Sequence, residues 1–282
     1  MLHIRLALLS LEPKLSPSKE VIQRLMNETK SPIKAPLLRS AGQSLDEKIN
    51  GIIDDQVLEL VFTPIFLGLL AGFQWLEWSL DLSISPWWFT LGCLASALYS
   101  YFKIKGVRAR LASLKRGREG ERAVGQYLET ITDAECKLFH DVVAEDFNID
   151  HIIISTKGVF AIETKTYSKP SRGEAIIRHN GDGLYMNKSQ FESRDELVQV
   201  KAAANWVRKF YEKHLDRRLQ VKPVLLFPGW YIKNEGNQDV WVLEPKAFPK
   251  YLENAEVIFD KDEVNTLSNA LSRFIRDSVR FD

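Results

Sequence analysis

Residues Phe147–Tyr167 read FNIDHIIISTKGVFAIETKTY, and this stretch decides the fold. Two runs rich in Ile, Val and Phe, Ile149–Ile154 and Val159–Ile162, flank a turn-type cluster that ends in Gly158. Neither run alternates cleanly between apolar and polar residues, which is typical of strands that are buried on both faces. The stretch therefore predicts two buried strands joined by a tight turn.

Three charged residues, Asp150, Glu163 and Lys165, lie in or directly beside these runs. Charged side chains are costly to bury unless they are paired or bind a metal ion. A two-residue loop places Asp150 directly opposite Glu163, whereas a three-residue loop leaves them diagonal but still close. Two converging carboxylates indicate a hard divalent cation such as Mg²⁺. Lys165 has the same side-chain parity as Glu163, so it is expected to face the same site.

A surface hairpin with its charges in water is the alternative to this buried site. It fits Asp150 poorly, because Ile149 and Ile152–Ile154 leave that strand no polar face. The buried interpretation is therefore the better one.

Composition excludes some classes of protein. The 282 residues carry a formal net charge of +1, so no global field favours an acidic partner. Cys93 and Cys136 lie in dissimilar segments and form no disulfide framework or metal-ligand spacing, as in proteins of reducing compartments. The five histidines form no HxxxH pair, which argues against a zinc enzyme.

Residues 57–103 are far more apolar than the rest of the chain. Leu60–Leu76 and Leu82–Phe102 contain no charged residue, and both fall within the roughly 17–25 residues that a membrane-spanning helix requires. Trp residues gather at the connection between the two segments, and Tyr and Phe residues gather at their other ends, as in interfacial belts. The pattern predicts a transmembrane helical hairpin with helices over about 60–76 and 84–102, and hence a multi-pass membrane protein that contacts the lipid bilayer.

Basic residues set the orientation of this hairpin. Seven Lys and Arg residues and no acidic residue occupy Lys103–Arg118, whereas the connection between the helices has neither Lys nor Arg. The positive-inside rule then places both termini in the cytoplasm. The alternatives are a buried or interfacial helical hairpin, and a basic run that binds DNA or anionic lipid.

The remaining elements follow from periodicity and turn signals. A helix over residues 107–131 carries Glu121 on its apolar side, and a helix over Leu197–Leu215 carries Gln199 near its beginning. A short helix over about Lys19–Glu28 is also predicted. The other predicted elements are a strand at Cys136–Val143, a hairpin of 175–178 with 183–187 around Asn180-Gly181, strands at Val221–Phe227 and Asp239–Leu243, and a helix at Lys261–Ser278 capped by Asp260.

Taken in chain order, these elements and motifs resemble the nuclease-related domain family (NERD) of the PD-(D/E)XK nuclease superfamily. The resemblance covers about residues 115–245 and departs from the pattern mainly at Thr164, which stands between Glu163 and Lys165, and in the charged stretch Lys188–Val198. It rests on the motifs Gly117-Arg118-Glu119-Gly120-Glu121, Ile149-Asp150-His151, Gly158–Lys165, Gln199 and Pro223–Gly229. It implies an α/β fold, a restriction-endonuclease-like αβββαβ core whose mixed central sheet is flanked by helices, preceded by the transmembrane helical hairpin.

The resemblance also implies Mg²⁺- or Mn²⁺-dependent hydrolysis of phosphodiester bonds in nucleic acid, with DNA as the expected partner. Asp150 and Glu163 would hold the metal, together with the Thr164 carbonyl and with Glu121 directly or through water. Lys165 would orient or deprotonate the attacking water, or stabilise the charge of the transition state. Gln199 would position the nucleic-acid strand or the nucleophile. His151 points away from Asp150 and is interpreted as structural.

The chain is accordingly divided into four parts: a partly helical cytoplasmic region at 1–56, the transmembrane hairpin at 57–103, the nuclease-like domain at 104–245, and a C-terminal helical extension packed on it at 246–282. One alternative function is a catalytically inactive module that binds nucleic acid or another partner at the membrane. A membrane sensor or channel is a further alternative. A transport pathway has no support, because neither apolar segment contains a charged residue.

Overall fold

The computed structural model describes residues 38–80, 85–132, 135–145, 147–170, 174–186, 191–236 and 239–278. The helix predicted over Lys19–Glu28 lies outside the described residues. Everything reported below concerns the described part of the chain.

A five-stranded mixed sheet forms the centre of the fold. Its first three strands in spatial order are antiparallel, and its last three run parallel to one another. The order across the sheet is β1 (Cys136–Val143), β2 (Asn148–Ser155), β3 (Gly158–Thr164), β7 (Val221–Leu226) and β9 (Trp241–Leu243). The predicted mixed α/β fold is thus confirmed at the level of its sheet and its helices.

The register of β2 and β3 confirms the two-residue loop. Ser155 pairs with Gly158, and His151 pairs with Ile162. Continuing this register by one residue sets Asp150 opposite Glu163. Gly158 begins β3 with a φ of 131°, a conformation that L side chains rarely adopt, so the tight turn depends on glycine.

Helices cover both faces of this sheet, as the apolar character of β2 and β3 requires. On one face, α4 (Asp195–Leu215) and α6 (Lys261–Ser278) pack on Ile152 and Ala161. On the other face, the last turns of α3 (Trp87–Ile131) and the short α5 (Phe248–Asn254) pack on Phe160. Charges inserted into β2 or β3 are therefore shielded from water by a helix.

The predicted beginning of the last helix is confirmed by a reciprocal cap. The Glu263 backbone N–H donates to Asp260 Oδ1 at 2.8 Å, and the Asp260 N–H donates to Glu263 Oε2 at 3.1 Å. This is the arrangement of a capping box.

A second, four-stranded sheet lies beside the end of β7. Its order is β6 (Phe191–Ser193), β5 (Leu184–Met186), β4 (Ile176–His179) and β8 (Tyr231–Asn234). The predicted β4–β5 hairpin is confirmed, with Gly181 at a φ of 99° in its turn. The pairing of β4 with β8 was not predicted, because parallel strands far apart in sequence leave no local signal.

The helix α3 is a single element of 45 residues, about 67 Å long. The sequence predicts an apolar helix ending near Phe102 and a separate helix from 107, but the structure joins them. Lys103–Arg118 contains no proline and consists mainly of Lys, Arg, Leu and Ala, which favour a helix, and its two glycines do not end α3. The polypeptide is therefore helical without a break from Trp87 to the edge of the central sheet.

A second helical run precedes α3. It consists of α1 (Gln43–Ile52), a π-helical turn (Ile53–Val57) and α2 (Leu58–Ser79). In the described part of the chain, this run alone is long and apolar enough to cross a membrane by length and composition. The apolar part of α3 is less apolar than α2 because of its Trp, Tyr and Ser residues. Of the two predicted membrane-crossing helices, only the one in α2 therefore has the support of length and composition in the described structure.

The apolar parts of α2 and α3 contact each other and leave large side chains exposed. Trp75 Nε1 donates to Thr90 Oγ1 at 3.0 Å, and the Trp75 and Trp87 rings lie 5.4 Å apart. Leu69 is 70% exposed and Trp88 is 75% exposed. Exposed apolar surface of this extent is typical of a surface that contacts a membrane or another protein.

Candidate active site

The charged residues of the buried hairpin converge at one end of the central sheet. Glu163 lies near the end of β3 with 3% of its surface exposed, and Lys165 directly follows the strand. Asp150 lies in β2 on the same face as Glu163, the face that α4 covers. Gln199 lies near the beginning of α4. Two strands and one helix thus bring these four side chains together.

Glu163, Lys165 and Gln199 form a closed triangle of hydrogen bonds. Lys165 Nζ donates to Glu163 Oε1 at 2.9 Å and to Gln199 Oε1 at 2.8 Å. Gln199 Nε2 donates to Glu163 Oε1 at 2.6 Å. One oxygen of Glu163 therefore accepts both bonds, which fixes the orientation of its carboxylate.

The other oxygen of Glu163 is the most informative atom of the site. Glu163 Oε2 is buried and has no hydrogen-bond partner among the residues that the structure describes. A carboxylate oxygen without a partner carries a large desolvation cost, so such an atom calls for an explanation such as a cation that binds to it. It lies opposite Asp150, whose Oδ2 accepts a hydrogen bond from the Thr164 backbone N–H at 2.7 Å.

Burial raises the pKa values of three carboxyl groups, and repulsion from neighbouring carboxylates adds to the shift for two of them. The pKa of Glu121 rises to about 7, chiefly because it is desolvated and secondly because Glu163 is close. The pKa of Asp150 is raised well above its ordinary value by burial, by Glu163 and by Glu121. Burial also raises the pKa of Glu163, although Lys165 opposes the shift. Glu121, which α3 contributes, is thus electrostatically coupled to Asp150 and Glu163.

Lys165 retains its proton in this environment. Burial lowers the pKa of Lys165, but the charge and hydrogen bond of Glu163 outweigh this effect, so the pKa is raised overall. A lysine with a raised pKa is a poor base at neutral pH and an effective fixed positive charge.

The donor set fits Mg²⁺ or Mn²⁺. Among the described residues, no three His, Cys, Asp or Glu side chains form a ready-made metal cage. Magnesium does not require one, because one or two carboxylates, waters and substrate phosphate usually hold it. Glu163 Oε2 and Asp150 supply two carboxylates, and a cation between them would offset the burial of both and the repulsion that adds to the raised pKa of Asp150.

Glu121 reaches the site because Gly120 lets α3 approach the chain beyond β3. A Cβ at Gly120 would overlap the Thr166 side chain and lie 2.8 Å from its Cβ. A Cβ at Gly117, one turn earlier, would meet Leu45 Cδ1 at an ordinary 3.4 Å. The close approach is therefore specific to Gly120.

We expect Gly120→Ala to destabilise the fold by roughly 1–3 kcal/mol, because the added methyl group overpacks the contact with Thr166. Gly117→Ala is the matched control, and it should be neutral or stabilising because alanine is the better helix former. Thermal unfolding of both full-length variants measures the difference. Equal melting temperatures would contradict the proposed role of Gly120.

His151 belongs to the opposite face of β2 and is fully buried. Its Nδ1 lies 2.9 Å from His140 Nδ1, and His140 Nε2 lies 3.1 Å from Glu129 Oε1. Burial, followed by the neighbouring His140, lowers the pKa of His151 to about 3. An imidazole that is neutral at physiological pH and directed away from Asp150 fits the structural interpretation.

The sequence missed Asp141 and its partners. This buried residue interrupts β1 with a φ of 48°, which aspartate tolerates better than most residues. Its Oδ2 accepts hydrogen bonds from the Ser44 backbone N–H at 2.8 Å and from Arg39 Nε at 2.9 Å. The beginning of α1 is therefore attached to the strand beside β2. The only signal in the sequence is a charged residue within the apolar run of β1.

A second missed contact braces the segment after Lys165. The Tyr167 hydroxyl donates to Glu196 in the first turn of α4, and burial raises the pKa of that hydroxyl. Trp230 Nε1 donates to the Tyr167 carbonyl at 3.3 Å. The chain leaving the site is thus held from two sides.

Comparisons with known proteins point to one family. Residues 116–228 match the family model described as NERD, nuclease-related domain. An uncharacterized protein of Bacillus anthracis is 29% identical over 83 residues, which cover 28% of this chain and 39% of that protein. The match thus spans well under half of that relative. No solved structure matches the chain. The family match confirms the resemblance seen in the motifs.

Proposed function

From the nuclease-related domain at residues 116–228, we propose that this protein is a membrane-anchored, cytoplasm-facing, metal-dependent nuclease that hydrolyses phosphodiester bonds in DNA. The observation that carries the proposal is the partnerless, buried Glu163 Oε2 opposite Asp150 and beside a protonated Lys165. A structural ion pair rarely leaves a carboxylate oxygen without a hydrogen-bond partner, whereas a metal site requires a carboxylate oxygen that is free to bind the ion.

Asp150 and Glu163 would hold the Mg²⁺ or Mn²⁺ ion, with the Thr164 carbonyl and Glu121 as further oxygen donors. When bound, such an ion polarises the scissile phosphate and lowers the pKa of a coordinated water. Glu121, with a pKa of about 7 in the absence of a metal ion, would release its proton on metal binding near neutral pH and so become available as an oxygen donor.

Lys165 supplies a fixed positive charge for the transition state. Phosphodiester hydrolysis places additional negative charge on the phosphoryl oxygens, and a preorganised cation in a partly dry site stabilises that charge. Gln199 positions the Lys165 ammonium group, because the Gln199 side-chain amide accepts a hydrogen bond from Lys165 Nζ and donates one to Glu163 Oε1. Among the roles considered for Lys165, its raised pKa favours charge stabilisation over proton abstraction.

The order of elements supports assignment to the PD-(D/E)XK superfamily. The core elements follow the sequence α3, β1, β2, β3, α4 and β7, which is the αβββαβ order that the resemblance implies. The strands β4 to β6 stand as an insertion between β3 and α4. None of the proposed catalytic residues lies in this insertion, so the insertion does not affect the comparison of the catalytic core with the superfamily.

The apolar parts of α2 and α3 support a two-helix anchor over residues 57–103. They contact each other, expose large apolar side chains, and are followed by the basic Lys103–Arg118. The apolar segment of α3 ends at Phe102, and the helix continues from there without a break. Glu121 would therefore lie about 28 Å further along the helix axis than Phe102. A rigid helix of that length would hold the site close to the cytoplasmic face.

A nuclease assay on the full chain in detergent tests the catalytic part of the proposal. Linear, nicked and single-stranded DNA and a matched RNA are incubated with Mg²⁺, Mn²⁺, Ca²⁺ or EDTA. We expect cleavage with Mg²⁺ or Mn²⁺ that EDTA abolishes and that Glu163→Gln reduces strongly. Metal-independent binding without cleavage of any substrate would instead favour the inactive binding module.

Membrane vesicles of known orientation test the anchor and its topology. Inside-out vesicles expose the cytoplasmic face, so only they should cleave DNA added from outside. Right-side-out vesicles should become active only after detergent is added. Equal activity in both preparations, or activity that washes off with high salt, would contradict the proposed anchoring.

A further inference from the structure

A second site lies beyond the catalytic cluster, at the junction of the two sheets. It is an open cleft of about 660 Å³, within the range of about 300–1,000 Å³ that is usual for small-molecule sites. Its lining includes Lys169, Glu174, Tyr231 and Lys233. None of these residues takes part in the catalytic cluster.

The cleft is connected to the catalytic cluster by a short, braced segment. Lys165 and Lys169 are four residues apart, so their Cα atoms are separated by at most about 14 Å. Between them, the Tyr167 ring stacks on Phe227 with 5.8 Å between centroids, and its carbonyl accepts from Trp230. The Cα atom of Lys169, in the cleft, therefore lies within about 14 Å of that of Lys165, in the proposed catalytic cluster.

Gly229 places Lys169 in the cleft. It has a φ of 76° in the turn that follows Phe227, and a Cβ at this position would lie 2.9 Å from Lys169 Nζ. The lysine side chain thus passes directly over the turn, where a side chain on residue 229 would displace it.

Tyr231 and Lys233 offer an exposed aromatic ring beside a second cation. Tyr231 is 64% exposed, although tyrosine rings of this size usually bury most of their surface. Both residues lie on the edge strand β8 with the same parity, about 6.6 Å apart along the strand. Among the described residues of the lining, Glu174 is the one acidic residue, so the two lysines give this part of the lining a positive balance.

We propose that this cleft binds single-stranded nucleic acid next to the scissile phosphate, with an unpaired base stacked on Tyr231 and backbone phosphates bound by Lys169 and Lys233. An aromatic face binds bases that are not already stacked in a duplex, and lysines bind the backbone without reading sequence. The substrate would therefore be a DNA with a single-stranded end or gap next to the bond that is cut. This inference rests on the proposed nuclease function for the position of the cut.

Binding without cleavage isolates the cleft from the catalytic chemistry. The full chain in detergent is titrated against a short fluorescein-labelled single strand in EDTA, and anisotropy is recorded over a range of salt concentrations. We expect Tyr231→Ala to weaken binding by about 5- to 100-fold, since stacking carries affinity of this size, while Tyr231→Phe keeps the ring and most of the affinity. Lys169→Ala and Lys233→Ala should each reduce the slope of log K against log[salt] by about 0.7.

Lys213→Ala is the matched control for the two lysines, because Lys213 is exposed in the last turn of α4. It should leave the affinity and the salt slope as in the unmodified protein. A blunt duplex should compete less effectively than the single strand.

The outcomes separate this inference from the proposed function. If Mg²⁺-dependent cleavage occurs but Tyr231→Ala and the lysine variants bind like the unmodified protein, the cleft assignment is overturned and the nuclease stands. If binding depends on Tyr231 and both lysines but no substrate is cut, the cleft is supported and the nuclease proposal fails. An unmodified protein that binds no single strand overturns the cleft assignment.

Discussion

Lys165→Ala is expected to lower kcat for DNA cleavage by roughly 10²–10³-fold at saturating Mg²⁺, because one preorganised charge in a transition-state site is worth about that much. The lysine is protonated and held at 2.9 Å from Glu163 and 2.8 Å from Gln199, so its charge is already in place before the substrate binds. Its contribution should appear mainly in kcat, because the charge that it stabilises develops in the transition state.

Lys201→Ala is the matched control for this experiment. Lys201 lies on α4 two residues after Gln199, but it is exposed and takes no part in the catalytic triangle. It should retain kcat within a small factor. Gln199→Ala should give an intermediate loss, because Lys165 and Glu163 would keep their direct bond but lose the amide that orients both. A Lys165→Ala protein that cleaves at the unmodified rate would remove Lys165 from the mechanism.

The pH profile distinguishes two roles for Lys165. A fixed charge with a raised pKa gives a rate that does not depend on lysine deprotonation between pH 6 and 9. If Lys165 acted as a base, the rate of the Lys165→Arg variant would lack the rise at alkaline pH, because arginine remains charged. Lys165→Arg is therefore expected to retain more activity than Lys165→Ala.

The sequence was most informative where a structural feature depends on neighbouring residues. The apolar runs beside Ser155-Thr156-Lys157-Gly158 predicted the pairing of β2 with β3 and left two registers open, of which the structure has the one with a two-residue loop. Asp260 and Glu263 likewise marked the beginning of the last helix. The closeness of Asp150 and Glu163 followed from these local rules in either register.

Long-range contacts could not be predicted in the same way. Asp141 is separated from Ser44 and Arg39 by about a hundred residues, and no periodicity relates the three. The sequence also placed a boundary between the apolar segment that ends near Phe102 and the helix from residue 107, because a change of composition resembles a boundary even where helix-forming residues continue. In the structure, α3 leads from the apolar segment to Glu121 of the candidate site without a break.

The Asp141 attachment has a consequence for any shortened protein. A chain that begins at residue 104 would lose Ser44 and Arg39 and would leave the buried Asp141 carboxylate without these partners. Removing the partners of a buried charge is strongly destabilising. Activity measurements are therefore better made on the full chain.

Glu121→Gln is expected to raise the stability of the metal-free protein at pH 8 by on the order of 1–3 kcal/mol, because it removes a carboxylate whose charge is disfavoured by burial and by the nearby Glu163. The pKa of Glu121 is about 7 when folded, against an ordinary 4.5. Between these two values the folded state holds the proton and the unfolded state has lost it, so stability falls as the pH rises. The penalty is absent below about pH 4.5 and complete above about pH 7, and the raised pKa values of Asp150 and Glu163 act with the same sign.

Thermal unfolding at pH 5.5 and pH 8, with EDTA or Mg²⁺, measures this linkage. The difference in melting temperature between Glu121→Gln and the unmodified protein should be larger at pH 8 than at pH 5.5. Glu119→Gln is the matched control, because Glu119 is exposed on the same helix two residues earlier. It should show no such dependence on pH.

Magnesium should reverse the penalty. A cation bound by Asp150 and Glu163 neutralises the repulsion and releases the protons that the cluster holds, so its affinity should rise from pH 6 to pH 8. At about 100 times its dissociation constant it would stabilise the fold by about 2.7 kcal/mol. If Mg²⁺ raises the melting temperature equally at both pH values, or fails to raise it at all, the three carboxylates do not form a metal site. Ca²⁺ is the control that separates metal binding from catalysis, since it would relieve the repulsion without necessarily supporting cleavage. Stabilisation by Ca²⁺ without activity would assign the carboxylates to metal binding and the rate of cleavage to the geometry around Lys165.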